Sequence, residues 1–185
     1  PFAFARPNRL RMENKAGAMG GEGAVVSDGV MLTSYQGELK QYTQKKAPDQ
    51  LALADLQSPM SGPNSALLVP KLLLSEDPLK ELMQGVDEVR EIGQQKLNGT
   101  PVTLLALTRP ATSLGGGMVP PGTDTPIAVK LWIGKKDFLI RQVAYELDMS
   151  QMAQSLPAEQ RAMMEGMKMG FTEQHTAIEI NPDLP

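Results

Sequence analysis

One histidine, no cysteine and 12 methionines bound the chemistry that this chain of 185 residues can carry. Without cysteine there is no thiol nucleophile, no disulfide scaffold, no Cys-based zinc site and no iron–sulfur cluster. Any Ser-His-Asp arrangement would have to use His175, and no G-x-S-x-G elbow presents a serine. The lone histidine therefore reads as a surface or partly packed strand residue. Asp87, Glu88 and Glu91 lie close in sequence, but strand alternation sends Glu88 and Glu91 to opposite faces, and solvated charge is their expected role. Glycines 115–117 lack the Lys-Ser/Thr pair and the helix that a phosphate loop needs. Six methionines fall within residues 149–170, and pairs such as Met149/Met152 or Met164/Met167/Met169 offer soft thioether ligands to Cu(I). No histidine or cysteine accompanies them, and methionine also serves as flexible apolar filler on surfaces that accommodate varied partners. The apolar reading is preferred, with Cu(I) held at Met163, Met164, Met167 and Met169 as a minor alternative. The expectation is a non-catalytic protein with no metal site and no cofactor.

Charge and length narrow the class further. The chain suits one domain of ordinary size, and it is long enough to bury a core without staples. A net charge of −3 and eight aromatic residues argue against nucleic acid as a partner, which calls for a basic patch or a stacking platform. Residues 1–46 sum to +3, residues 47–136 to −1 and residues 137–185 to −5. No apolar run approaches the roughly 18–20 residues needed to span a bilayer. Pro1 opens directly onto FAFARPNRL and the chain stops at INPDLP, so further residues are expected at both ends.

The elements that must position any site are mostly strands. Residues 1–47 read as β structure: Leu10 and Met12 alternate with Arg9, Arg11 and Glu13, and Asp28-Gly29 separates two apolar runs as a hairpin turn does. LKQYTQKK continues as a third strand up to Ala47-Pro48. Residues 48–85 change to short helices broken by Pro59, Gly62, Pro63 and Pro70, with Asp49 and Ser75 as N-caps and Gly85 as a stop. Ten leucines in this insert require an apolar surface beneath it. Residues 86–148 return to strands, with hairpins at Asn98-Gly99 and around residues 134–137. Residues 149–170 form a Met-rich flexible or helical insert, and residues 171–185 a final strand and turn. Hairpins in series, interrupted once by helices, predict a single α+β, mainly β domain: a strongly curved antiparallel sheet or incomplete β-barrel with a helical lid.

Three motifs carry a family resemblance. Arg6-Pro7-Asn8 precedes VVSDGVMLTSYQGELKQYT, VKLWIGKKDFLIRQVAYEL follows later, and FTEQHTAIEINPDLP closes the chain. In this order they resemble the LolA-like periplasmic lipoprotein carriers of bacteria, in which an Arg-Pro-Asn strand precedes a "VSDGKTLWxY" hairpin. Thr33 stands where that family has tryptophan, the Met-rich insert has no counterpart, and the family's first helix and strands lie outside this chain. The resemblance implies an apolar hollow under a helical lid that buries acyl chains of a lipid or lipoprotein, with Arg6 fastening the lid.

The expected hollow wall is Leu10, Met12, Tyr35, Tyr42 and Trp132; the expected lid residues are Leu68, Leu72, Leu79, Leu82 and Met83. Polar substitution at Leu72 or Leu82 should then lower lipid retention more than stability. The resemblance also implies the bacterial periplasm or cell envelope, with a lipidated N-terminus beyond this chain as one form of anchoring. Relatives that sense envelope stress supply a second reading, in which the acidic residues 137–185 contact a membrane-associated partner protein.

Overall fold

The computed structural model describes residues 1–14, 22–56, 68–110, 126–148 and 166–179. The chain divides into two compact units, Pro1–Glu81 and Leu82–Pro185, and each is described by itself.

The first unit is a meander of five antiparallel strands: β1 (Phe2–Ala5), β2 (Arg9–Asn14), β3 (Gly23–Asp28), β4 (Met31–Gln36) and β5 (Gln41–Lys46). The Asp28-Gly29 turn forms where the sequence places it. Gly29 has φ +95°, a conformation open to glycine, and the Asp28 carboxylate accepts the N–H groups of Val30 and Met31 at 2.7 Å each. The Met31 and Val30 N–H groups hold the Asp28 pKa below its ordinary value of 3.8. The fold therefore gains a contribution from ionised Asp28 that is complete above the ordinary value and lost as pH falls through the depressed one. In Asp28→Asn the acid limb of a pH–Tm profile should be shallower than in the parent, and identical limbs would remove Asp28 from the account.

Register decides which side chains share a face. Phe4 faces Leu10, Leu10 faces Ser27 and Ser27 faces Leu32; Phe2, Met12 and Val25 form the adjoining row. On this face Leu10, Val25 and Leu32 are buried and join Ala47, Leu51, Leu56 and Leu74 in one core, with Phe2, Phe4, Met12 and Leu53 packed against it. The chain after β5 thus covers the apolar face of its own sheet. It does so with a 3₁₀ turn (Leu53–Leu56) and the helix α1 (Leu68–Leu74), whose Leu68, Pro70, Leu72 and Leu74 are buried. Pro70 belongs to the first turn of α1, where no intrahelical N–H is required, rather than to the expected break. Helix α2 (Pro78–Met83) follows, and its cap is Asp77, not Ser75: Asp77 Oδ1 accepts the Lys80 N–H at 2.9 Å. Pro78 at the first helical position explains the shift.

The second unit is another antiparallel meander: β6 (Val89–Leu97), β7 (Thr100–Pro110), β8 (Pro126–Gly134), β9 (Ile140–Asp148) and β10 (Lys168–Gln174). Asn98 and Gly99, with φ +49° and +81°, make the tight turn between β6 and β7. Along β7 to β9, Leu107, Arg109, Ile127, Val129, Leu131, Val143 and Tyr145 are buried on one face. The molecule is mainly β with few helices. Among the described residues its hydrogen bonding forms two five-stranded sheets rather than the one continuous curved sheet expected from hairpins in series. The last strand also starts earlier and ends sooner than FTEQHTAIEI implied, because β10 pairs Lys168 with Asp148 and stops at Gln174 opposite Gln142. No described helix is long and apolar enough to cross a membrane.

Candidate functional site

The Arg6-Pro7-Asn8 turn joins β1 to β2 and reaches both ends of the segment that covers the first sheet. Arg6 Nη2 donates to the Ser75 carbonyl, just past the end of α1, at 2.9 Å. Asn8 Nδ2 donates to the carbonyls of Gly29, at 3.0 Å, and Pro48, at 2.9 Å. Ser27 Oγ donates to the Asn8 carbonyl at 2.6 Å and accepts the Gly29 N–H at 3.3 Å. One turn therefore grips the β3–β4 hairpin, the entry to the insert and the exit from α1. Lys45 on β5 adds a further tie to Asp55 at 2.8 Å. Burial pushes the Asp55 carboxyl up, but the Lys45 ammonium and the Ala52 N–H together outweigh it and hold the pKa below its ordinary value. Lys71 on α1 and Glu81 on α2 pair at 2.6 Å, which links the two helices.

The expected wall residues do not share one surface. Leu10 and Met12 lie on the covered face of the first sheet, in its core. Tyr35 pairs with Tyr42 and Ala24 on the opposite face, where the two rings are 39% and 67% exposed. Tyr35 and Tyr42 thus lie on the face opposite Leu10 and Met12: Leu32 is buried, and a residue three places along a strand must point the other way. Trp132 lies in the second unit, on the face of β8 opposite Val129 and Leu131, half-buried beside Leu104 and Gln142. The lid residues also divide. Leu68 and Leu72 are buried, Leu82 is half-buried, and Leu79 and Met83 are exposed on α2 at 68% and 39%.

A cleft of about 210 Å³ opens beside the Arg6 turn, lined by Phe4, Arg6, Pro7, Gln50, Leu74 and Glu76. Phe4, Gln50 and Glu76 did not stand out in the sequence, because residues 4, 50 and 76 meet only after the insert folds back. Elsewhere His175 Nε2 lies 2.9 Å from Glu173 Oε1, and its backbone N–H donates to the Arg141 carbonyl. Several acids of the C-terminal region are paired internally: Asp137 with Arg141, and Glu146 with Lys168 at 2.7 Å. Among the described residues no three His, Asp or Glu side chains gather as metal ligands would. Met149, Met152, Met163 and Met164 lie outside the described residues, and Met167 is exposed.

Three comparisons place the chain among known proteins. The family model DUF2092, described as a predicted periplasmic protein, matches residues 2–154. No curated protein matches. Among solved structures, the crystal structure of the Mycobacterium tuberculosis lipoprotein LppX is similar at 16% identity and a TM-score of 0.35, over 74% of this chain and 75% of that one.

Proposed function

Because this chain belongs to the DUF2092 family of predicted periplasmic proteins, we propose that it works in the bacterial cell envelope as a non-catalytic carrier that buries acyl chains of a lipid or lipoprotein. One observation carries the reading: a leucine-rich helical segment covers the apolar face of a five-stranded sheet and is held at its two ends by side chains of a single turn. Such a cover can lift without breaking a strand ladder, because its polar ties come from side chains: Arg6 and Asn8 to one carbonyl each, and Lys45 to Asp55. Apolar surface exposed beneath it would bind an acyl chain at roughly 25 cal/mol per Å² buried. In this reading Leu10 and Met12 belong to the binding surface, Leu68, Leu72, Leu79, Leu82 and Met83 to the lid, and Arg6 to its fastening. The finer architecture, a LolA-like open barrel, belongs to the same proposal, as does anchoring by a lipidated N-terminus.

Native mass spectrometry of gently purified protein, followed by organic extraction, tests the carrier. A discrete added mass that extracts as phospholipid, fatty acid or acylated peptide is the expected result. A bare mass that stays bare after incubation with envelope lipids would overturn it. A stoichiometric protein partner in place of lipid would favour the interaction-module reading, although the internal pairing of Asp137 and Glu146 leaves it less free acidic surface than the sequence suggested.

A further inference from the structure

We propose that the cleft lined by Phe4, Arg6, Pro7, Gln50, Leu74 and Glu76 binds a zwitterionic head group, an oxyanion linked by a short chain to a primary ammonium. Its volume of about 210 Å³ is below the roughly 300–1,000 Å³ of sites that enclose drug-sized ligands. A head group fits; a whole lipid does not.

The lining supplies one group for each part of such a ligand. Arg6 presents a planar fork of N–H donors, of which one is bonded to the neutral Ser75 carbonyl. An oxyanion is a stronger acceptor than a carbonyl, so the guanidinium gains by turning toward it. Glu76 repels a ligand that is only anionic and accepts from an ammonium. Neither Arg6 nor Glu76 is ion-paired among the described residues, so neither charge is already matched. The Gln50 amide can donate or accept, and Phe4, Pro7 and Leu74 give the apolar wall for the connecting methylenes. Both charged side chains are exposed, so water screens each contact and the affinity is modest.

The same chemistry is available from a free small molecule or from a lipid head group, and only the second source rests on the carrier reading. The full chain is titrated with O-phosphoethanolamine, with glycerol 3-phosphate, and with phosphatidylcholine vesicles that contain or lack phosphatidylethanolamine. Arg6→Gln and Glu76→Gln replace exposed side chains, and their melting temperatures confirm that they fold. Saturable binding of O-phosphoethanolamine is expected, about threefold weaker in Arg6→Gln, the loss of one solvent-screened charge-assisted contact. In Glu76→Gln the preference over glycerol 3-phosphate should disappear. Binding only to phosphatidylethanolamine vesicles, lost in both variants, assigns the site to a lipid head group. Absence of binding to either source overturns the site, as do equal affinities for the two phosphates in the parent or affinities unchanged in both variants. Native mass spectrometry on the same samples separates the two ideas. Acyl chains retained without zwitterion binding sink the cleft alone, and zwitterion binding by a bare protein sinks acyl burial alone.

Discussion

Leu72→Gln should lower the stability of the first unit by about 3 kcal/mol, within the range for emptying a buried leucine site and worsened by a buried amide. Leu72 is 7% exposed in α1. For a chain of this size that corresponds to a fall of roughly 6–12 °C in Tm. The companion variant Leu79→Gln changes a side chain that is 68% exposed on α2, and its Tm should stay within the small range of surface substitutions, about 0.5 kcal/mol. Lipid retention separates the two in the other direction. In the carrier reading, exposed lid leucines meet cargo, so Leu79→Gln loses bound lipid while keeping its fold. This revises the expectation for Leu72, whose burial makes it a stability residue first. A Leu79→Gln protein that melts early, or one that keeps its full lipid load, would count against the division.

Asn8→Ala should cost about 2 kcal/mol, two hydrogen bonds at roughly 1 kcal/mol each. The lost donors leave the Gly29 and Pro48 carbonyls without the amide that now ties them, 21 and 40 residues away in sequence. The sharper comparison is Asn8→Asp. The shape is nearly unchanged, but a carboxylate has only acceptors to offer two carbonyls, so at neutral pH this variant should be less stable than Asn8→Ala. Urea unfolding of the three proteins decides the matter. Equal midpoints for Asn8→Asp and the parent would mean that the amide is not what closes this corner.

Much of the local structure was legible in the residues. Asp28-Gly29 and Asn98-Gly99 form turns because glycine accepts positive φ and the aspartate carboxylate takes the free N–H groups of its own turn. The exchange of strand for helix after Pro48 and its return after Gly85 followed from the proline and leucine pattern. The wall was less legible. Leu10, Met12, Tyr35 and Tyr42 all read as apolar or aromatic, yet the Ser27–Leu32 register places the tyrosines on the far face. The helix cap moved from Ser75 to Asp77 because Pro78 suits only the first helical position.

The sequence by itself determined which stretches are strands, where they turn and which segment is rich enough in leucine to need a covering partner. These are consequences of period, proline and glycine, each acting over a few residues. Only the tertiary structure decided that the chain pairs into two five-stranded sheets, that Arg6 reaches a carbonyl 69 residues away, and that Phe4, Gln50 and Glu76 line one cleft. Those contacts depend on how far the insert folds back before its leucines are buried. That distance is set by packing against a face assembled from four strands, and no local pattern contains it.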